Sequence, residues 1–382
     1  MANDLFFSRD TKVVVSDGTT AWEIPVLDGF SFSQATNSSE VTLQEMESAG
    51  GGSRRGRKMF NDSVAPAEWS FSTYARPFKS TIDAADGWDG TSAAMHAVEE
   101  CLWAALVSKS SFTDGGADAN SSWSTSIANS ATACTIDFND SNTATLKELD
   151  IFFIMGAGTY SAGTHQVYKL ASSVVNSASI DFDIDGIATI NWSGFASTIT
   201  DEGSQPTVSI KEGLLATNNF IRNRLTTLTA TATAAGNIVT SYALTLTGGT
   251  ISFENNITFL TPETLGAVNS PIGHVTGNRT IGGSFTCYLS NTATASSDLF
   301  EDLASSTSVI TNDFNLVFDI GGVAASPAVA PHLQITLPTC HLEIPSHSIE
   351  DVISLETSFH ALPTSITAAD EATIVYKGVT AA

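Results

Sequence analysis

The chain has little positive charge. Its 382 residues contain 16 lysines and arginines against 40 aspartates and glutamates, a formal net charge of −24 at pH 7. A protein that grips phosphate backbones over a broad surface needs clustered cations, so the composition excludes general nucleic-acid binding. It leaves room for a protein that nucleic acid passes without being held. The acids are spread along the chain, since residues 230–382 alone carry 13 acids and two bases.

The sequence also lacks long apolar runs, paired cysteines and common enzyme motifs. No stretch reaches the roughly 18 apolar residues of a spanning helix, and the first ten residues lack the basic region of a secretory signal. Four widely separated cysteines predict reduced, buried thiols. There is no nucleophile elbow, HExxH, phosphate-binding loop or dinucleotide fingerprint. A cluster over residues 340–347 is better explained as a strand with outward polar side chains than as a metal site. We therefore expect no enzyme, metal or cofactor.

What is present is mostly β-structure. Runs of β-branched and aromatic residues alternate with clusters of Gly, Asn, Asp and Ser, the pattern of strands and turns. The clearest runs are residues 13–15, 69–74, 151–154, 188–192, 242–246, 284–289 and 316–318. Apolar residues at helical spacing predict two helices, over residues 92–108 and 297–304. Each helix is expected to cover one face of a sheet, with the acids of the second helix, Asp298, Glu301 and Asp302, on its other side.

These elements recur in the same order along the chain. The strand at Gly29–Phe32 has a counterpart at Gly249–Phe253, and Trp69–Tyr74 has one at Gly283–Tyr288. In both halves a helix and a further strand follow. Such a long repeat indicates duplication of a whole domain.

The predicted fold class is therefore mainly β. We expect two tandem β-sandwich or barrel domains over residues 1–210 and 211–382, each with a short flanking helix. A stretch rich in Ser, Ala and Asn near residues 113–145 predicts an exposed insertion in the first domain.

Alternating acids mark one predicted strand. Asp181, Asp183 and Asp185 alternate with Phe182 and Ile184, so the carboxylates should point outward and the apolar side chains inward. The segment begins like an EF-hand loop but has no glutamate at the twelfth position. The acids could form a solvated face or a functional negative lining.

The most unusual segment is basic. Arg54, Arg55, Arg57 and Lys58 place four of the chain's 16 cations within five residues, in a long loop that begins with three glycines. The loop could bind anions or nucleic acid, be merely solvated, or dock on an acidic surface of another copy. We favour docking between copies, because it satisfies both signs of charge at once.

Several strings of the sequence resemble the major tail tube proteins of tailed bacteriophages. They lie at residues 27–41, 53–62, 66–74, 251–259 and 276–285. The resemblance implies a β-sandwich or barrel that closes into six-fold rings, which stack into a hollow tube with a negative inner sheet. A duplicated chain would form the ring as a trimer with pseudo-six-fold symmetry; a hexamer is the alternative.

The resemblance also implies functional residues and partners. A long loop of the family contacts the neighbouring ring, and residues 45–66 match its position, which makes Arg54, Arg55, Arg57 and Lys58 ring-stacking candidates. Asp181, Asp183 and Asp185 become candidates for the acidic lumen. The implied partners are further copies of the chain and tape-measure, tail terminator and baseplate proteins, with DNA as transiting cargo and no membrane. The implied location is the virion tail, after assembly in the host cytoplasm.

Two other classes of protein remain open. A carbohydrate-binding or adhesion β-sandwich would need an exposed aromatic platform, whereas the six tryptophans are scattered along the chain. A β-rich hydrolase would need paired carboxylates in a cleft.

Overall fold

The computed structural model describes residues 5–42, 57–79, 94–113, 121–139, 144–156, 165–210, 219–232, 241–261, 264–265, 268–305, 314–321 and 330–378. These residues are mainly β, as the sequence predicts. Strands of the first half are β1 Lys12–Ser16, β2 Ala21–Ile24, β3 Ser31–Thr42, β4 Arg57–Tyr74, β5 Pro77–Lys79, β6 Met95–Ala97, β7 Phe112–Thr113, β8 Ser122–Trp123, β9 Ile127–Asn129, β10 Ala133–Asp137, β11 Leu149–Met155, β12 Gln166–Asp183, β13 Thr189–Ala196 and β14 Thr198–Glu202.

Strands of the second half are β15 Thr227–Ala232, β16 Ser241–Leu244, β17 Leu246–Glu254, β18 Thr258–Leu260, β19 Gly273–Val275, β20 Thr280–Tyr288, β21 Phe314–Ile320, β22 His332–Leu342, β23 Ser346–Ser348, β24 Ser354–Ala361 and β25 Thr373–Lys377. The helices are α1 Glu100–Val107 and α2 Ser296–Ser305.

A large antiparallel sheet runs through both halves in the order β3-β4-β13-β12-β17-β20-β24-β22. Its first four strands come from the first half and its last four from the second half. The β12–β17 ladder joins the two sets, and β23 continues along β24 where β22 ends.

Each half also contributes a smaller sheet, which we call a side sheet, and the two side sheets have the same strand order. The first is β2-β1-β11-β12-β14. The second is β16-β15-β21-β22-β25, extended by β10 and β9 from the first half. The same order of ladders in both halves agrees with the repeat in the sequence. The domain boundary near residue 210 stays a prediction.

Strands β12 and β22 each belong to two sheets. Residues 166–173 of β12 pair with β11 in the first side sheet, whereas residues 177–183 pair with β17 in the large sheet. The strand bends between them at Ser172, whose φ of 49° lies in the left-handed region. The Ser172 amide donates to Asp150 Oδ1 at 3.1 Å, which holds the bend.

Aromatic side chains fill the space between the sheets. Phe182 of the large sheet lies 5.7 Å from Phe318 of the second side sheet, and Phe318 lies 5.5 Å from Phe359, measured between ring centroids. Phe32 and Phe153 make the corresponding contact with the first side sheet at 4.7 Å. Period-2 alternation along these strands therefore buries one face of the large sheet and leaves the other open.

Helix α1 differs from its prediction in length and in burial. It covers Glu100–Val107 and not residues 92–108, because Met95–Ala97 pairs with Pro77–Lys79 as a β-ladder; residues 91–93 lie outside the described ranges. All eight residues of α1 are buried, so the helix lies inside the protein and does not cover a sheet with one face. Trp103 packs against Trp192 at 4.8 Å.

A buried polar cluster surrounds the start of α1. The Tyr376 hydroxyl donates to Glu99, and Trp103 Nε1 donates to the Tyr376 oxygen at 2.8 Å. His96 Nδ1 lies 2.8 Å from Glu100 Oε2. Burial raises the pKa of Glu99 to about 7. The hydrogen bond from Tyr376 acts in the opposite direction and lowers this pKa. The cluster ties α1 to β25, the last strand of the chain.

Helix α2 matches its prediction to within a residue at each end. The position of Asp302 differs from its prediction, because this side chain is buried and accepts a hydrogen bond from the Tyr242 hydroxyl. Burial and this carboxylate raise the pKa of Tyr242 above its ordinary value. The predicted placement of Asp302 with the surface acids was therefore wrong.

The stretch near residues 113–145, expected to be an exposed loop or insertion, contains strands and buried side chains in its described part, and its being an insertion stays a prediction. Strands β8, β9 and β10 lie there, and Trp123, Ile127 and Cys134 are buried. Strand β10 completes the second side sheet by pairing with β25. All four cysteines are free and buried, as predicted.

Candidate assembly surfaces

The open face of the large sheet is built from short polar side chains. The strand register aligns them in rows across the sheet, and we call these rows the open face: Ser33–Glu68–Phe195; Ser31–Ser70–Ser193–Ser177–Glu254–Thr280; Ser72–Asn191–Ser179–Ser252–Gly282–His360; Tyr74–Thr189–Asp181–Thr250–Ser284–Ser358; and Asp183–Gly248–Thr286–Glu356. Opposite residues in such rows lie close enough for their side chains to touch.

Hydrogen bonds within the rows satisfy many of these groups. Ser72 Oγ donates to Asn191 Oδ1 at 2.7 Å, and Asn191 Nδ2 donates to Asp181 Oδ2 at 3.1 Å. The hydroxyls of Ser177 and Ser193 lie 2.7 Å apart. The face is therefore a surface on which many short side chains hydrogen-bond to one another.

The charge on the open face has one sign. Five exposed carboxylates lie in the rows, those of Glu68, Asp181, Asp183, Glu254 and Glu356. The rows consist of described residues only, and none of them is a lysine or arginine. A phosphate chain in front of these rows would meet no lysine or arginine, the side chains that hold phosphates by electrostatic attraction.

The three predicted lining acids do not all lie on this face. Asp181 and Asp183 do, opposite the buried Phe182, as the alternation predicts. The inward placement of Ile184 was wrong, because β12 ends at Asp183 and Ile184 is 45% exposed. Asp185 lies in the following turn, 3.5 Å from Arg224 Nη1, at the end of the sheet.

A two-stranded finger projects from the sheet. We define it as Thr36–Thr42 of β3 with Arg57–Val64 of β4, which pair only with each other as a ladder within the described ranges. At its base the Val64 amide donates to the Asn269 carbonyl at 2.8 Å. Arg57 and Lys58 were expected in a loop, but they lie in β4 at the far end of the finger. Arg54 and Arg55 lie outside the described residues.

The far end of the finger carries cations next to exposed apolar side chains. Arg57 Nη1 lies 3.2 Å from Glu40 Oε1, and Lys58 Nζ lies 5.3 Å from the centre of the Phe60 ring. Met59 is 67% exposed and Phe60 is 47% exposed. An isolated two-stranded hairpin is marginally stable in water, and exposed apolar groups mark interaction sites. The finger therefore has the properties of a docking element.

Metal-ligand clusters and membrane-spanning helices are absent from the described part of the chain. No group of three or more His, Cys, Asp or Glu side chains there is arranged to hold a metal ion. Neither helix within the described ranges is long and apolar enough to cross a membrane.

Comparison with known proteins identifies the family. No family model matches the chain. The chain is 31% identical over 375 residues to Tail tube protein pb6 of Escherichia phage T5, an alignment that covers 95% of this chain and 74% of the phage T5 protein. The chain belongs to the phage tail tube proteins. Membership gives it a structural role in the virion tail, where it assembles with itself and with other tail proteins.

Sequence reasoning missed three acids of the open face, Glu68, Glu254 and Glu356. Glu254 and Glu356 are the single acids of β17 and β24, and Glu68 is the single acid in the part of β4 that belongs to the large sheet. The signal that could have found them was the outward position in the alternation along each strand. Only the register, however, shows that all of them share one face with Asp181 and Asp183.

Proposed function

We propose that this tail tube protein closes into rings whose open faces together line a channel for DNA, and that the finger joins successive rings. In each chain the large sheet carries two sets of four strands in the same order. Three such chains form a ring with pseudo-six-fold symmetry. The protein acts as a structural element and catalyses no reaction.

The single observation that carries the proposal is the open face. It extends across the large sheet from β3 to β24, and its only charged groups besides His360 are carboxylates. A lining of this kind repels phosphates, so DNA slides without binding. Clustered cations would retain the DNA by releasing its counterions.

The assembly partners follow from the same proposal. Besides further copies of the chain, the partners are the tape-measure, tail terminator and baseplate proteins that the tail tube family implies. Assembly takes place in the host cytoplasm, and DNA is only the transiting cargo.

Negative-stain electron microscopy of the purified chain tests the proposal, across a range of protein and salt concentrations. Rings or hollow tubes are expected, with a stain-filled channel. Monomers at every concentration, together with binding on a glycan array, would contradict the proposal and favour a carbohydrate-binding virion protein.

A further inference from the structure

The two ends of the large sheet carry different structures. The finger leaves the sheet at the end where Glu254 pairs with Thr280. At the other end Asp183 pairs with Gly248, and Tyr288 pairs with Ser354. We call these the finger end and the opposite end. Copies that point the same way along one axis therefore bring the finger end of one copy to the opposite end of the next. Such a head-to-tail contact repeats without closing.

A groove of about 530 Å³ opens at the opposite end. It is lined by Thr247, Tyr288, Glu350, Asp351, Val352 and Ser354. A smaller cavity of about 240 Å³ adjoins it, sharing Thr247 and Tyr288 and reaching Asp183. Arg224 also lines the smaller cavity, but it is paired with Asp185. The carboxylates of Glu350 and Asp351 therefore line the larger groove, and that of Asp183 lines the smaller cavity beside it.

Apolar side chains are exposed around these acids. Tyr288 is 40% exposed, Val352 59% and Ile349 78%. The Leu289 amide donates to the Ile353 carbonyl at 2.9 Å, which holds the segment that carries them beside the end of β20. An acidic groove with an exposed apolar rim suits a partner that presents cations next to apolar groups.

The far end of the finger is such a partner. Residues 48–61 contain four cations and no acid, and the described finger has two acids, Glu40, which pairs with Arg57, and Asp62. Among the described ones, Arg57 and Lys58 lie directly beside the exposed Met59 and Phe60. Docking would cover these apolar groups and bring the cations to the carboxylates of the groove.

We propose that the groove at Tyr288, Glu350, Asp351 and Val352 is the docking site for the finger of the next copy. The occupant is thus a second copy of this chain. This inference rests on the proposed function, because it names the surface that receives the stacking element.

Charge reversal in the groove tests the inference. The change Glu350→Lys with Asp351→Lys should leave rings intact and abolish long tubes in electron microscopy. The matched control is Asp201→Lys with Glu202→Lys, two adjacent acids on β14 of the first side sheet that alter the net charge equally. The control should form tubes like the unaltered chain.

A compensating change supplies the second arm. Changing Arg54, Arg55, Arg57 and Lys58 to glutamate in the groove variant reverses both partners, so tubes should return. A groove variant that forms normal tubes, or a combined variant that does not regain them, would overturn the inference. Should the reversed groove impair folding, judged by the melting temperature, Glu350→Gln with Asp351→Asn takes its place. The neutral variant should raise the protein concentration needed for tubes, and an unchanged concentration would overturn the inference.

The outcomes separate the two proposals. Absence of rings and tubes from the unaltered chain contradicts the proposed function itself. If tubes form equally well from the unaltered chain and from the groove variants, only the proposed docking site is contradicted. A groove that instead receives the apolar hairpin β18–β19 would show tubes sensitive to Val352→Ser but not to Arg57→Glu, and this outcome also overturns docking of the finger.

Discussion

The two halves of the chain share a strand order but differ in the segments that extend beyond the large sheet. In the first half, β3 and β4 have 12 and 18 residues and continue outward as the finger. In the second half, β17 and β20 have nine residues each, and a separate small hairpin, β18–β19, lies beyond them. Residues 255–278 contain no lysine or arginine. The two halves therefore share the strand order of the sheet, whereas the connections between their strands differ.

The helices of the two halves differ in the same way. Helix α1 is wholly buried, and α2 is amphipathic with exposed acids such as Glu301. Yet each helix is held by a tyrosine from a distant strand, which donates to a carboxylate at that helix. Both helices are therefore attached by the same kind of hydrogen bond, but α1 is more deeply buried than α2. Equivalent substitutions at the two tyrosines should have unequal effects on stability.

The largest expected effect concerns the finger. Replacing Arg54, Arg55, Arg57 and Lys58 with serine should leave a folded chain that forms rings but no long tubes. Loss of several charge contacts, each worth a few tenths of a kcal/mol or more, should raise the concentration needed for tubes at least about tenfold. Pelleting assays and electron microscopy measure the protein concentration at which tubes form.

A smaller matched pair checks that position matters and not total charge. Arg57→Ser with Lys58→Ser should impair tube formation, whereas Arg9→Ser with Lys12→Ser removes the same charges near the N-terminal strand and should not. Equal impairment by both variants, or long tubes from the four-site variant, would show that the finger has no special role.

The next effect concerns Glu99, whose pKa is raised by burial from 4.5 to about 7. A raised pKa means that the folded state binds the proton more tightly, so this contribution to stability is complete below pH 4.5 and is lost as the pH rises to 7. The loss amounts to roughly 3 kcal/mol at most. Glu99→Gln should therefore stabilise the protein at pH 8 and have little effect near pH 4.5.

Denaturant unfolding at several pH values measures the effect of Glu99→Gln. The control is Glu301→Gln on the exposed side of α2, which should follow the unaltered protein at every pH. A Glu99→Gln curve that runs parallel to the unaltered protein across the range would contradict the argument.

A third effect tests the tyrosine that holds α1. Tyr376→Phe removes the donor to Glu99 and the acceptor of Trp103 Nε1, both in a fully buried site. Leaving buried groups without partners costs about 1–3 kcal/mol each, so the loss of unfolding free energy at pH 7 should be about 2–3 kcal/mol. Chemical denaturation measures it.

The smallest effect concerns the tyrosine that holds α2. Tyr242→Phe removes one hydrogen bond to Asp302 at the less enclosed helix, and a loss of about 1 kcal/mol is expected. The same denaturation experiment should rank the two tyrosine variants. A larger loss for Tyr242→Phe than for Tyr376→Phe would reverse the comparison between the helices.

The sequence predicts features that depend on near neighbours. Alternation at Asp181, Phe182 and Asp183 determines which side chains face the core, and the structure agrees with it. The limits of α2 also follow from local apolar spacing.

Features that depend on distant residues were not predictable in this way. Asp302 is buried because Tyr242, 60 residues away, donates to it. Helix α1 is short because residues 95–97 pair with a strand nearly 20 residues earlier. Arg57 and Lys58 lie in a strand because β3 pairs with them, whereas the nearby glycines favour a loop. The shared face of the five carboxylates depends on register across the whole sheet.

The strands that belong to two sheets also determine how the protein bears load. One segment of β12 is hydrogen-bonded to β11 and β14 on its two sides, and the next segment is hydrogen-bonded to β13 and β17. A pull along this strand would stress many hydrogen bonds in shear at the same time, and they would have to break together. Strand β22 also changes partners along its length, from β21 and β25 over one segment to a three-residue ladder with β24 over the next. A sheet that contains such strands should therefore resist extension along them more than a sheet whose strands each have one set of partners.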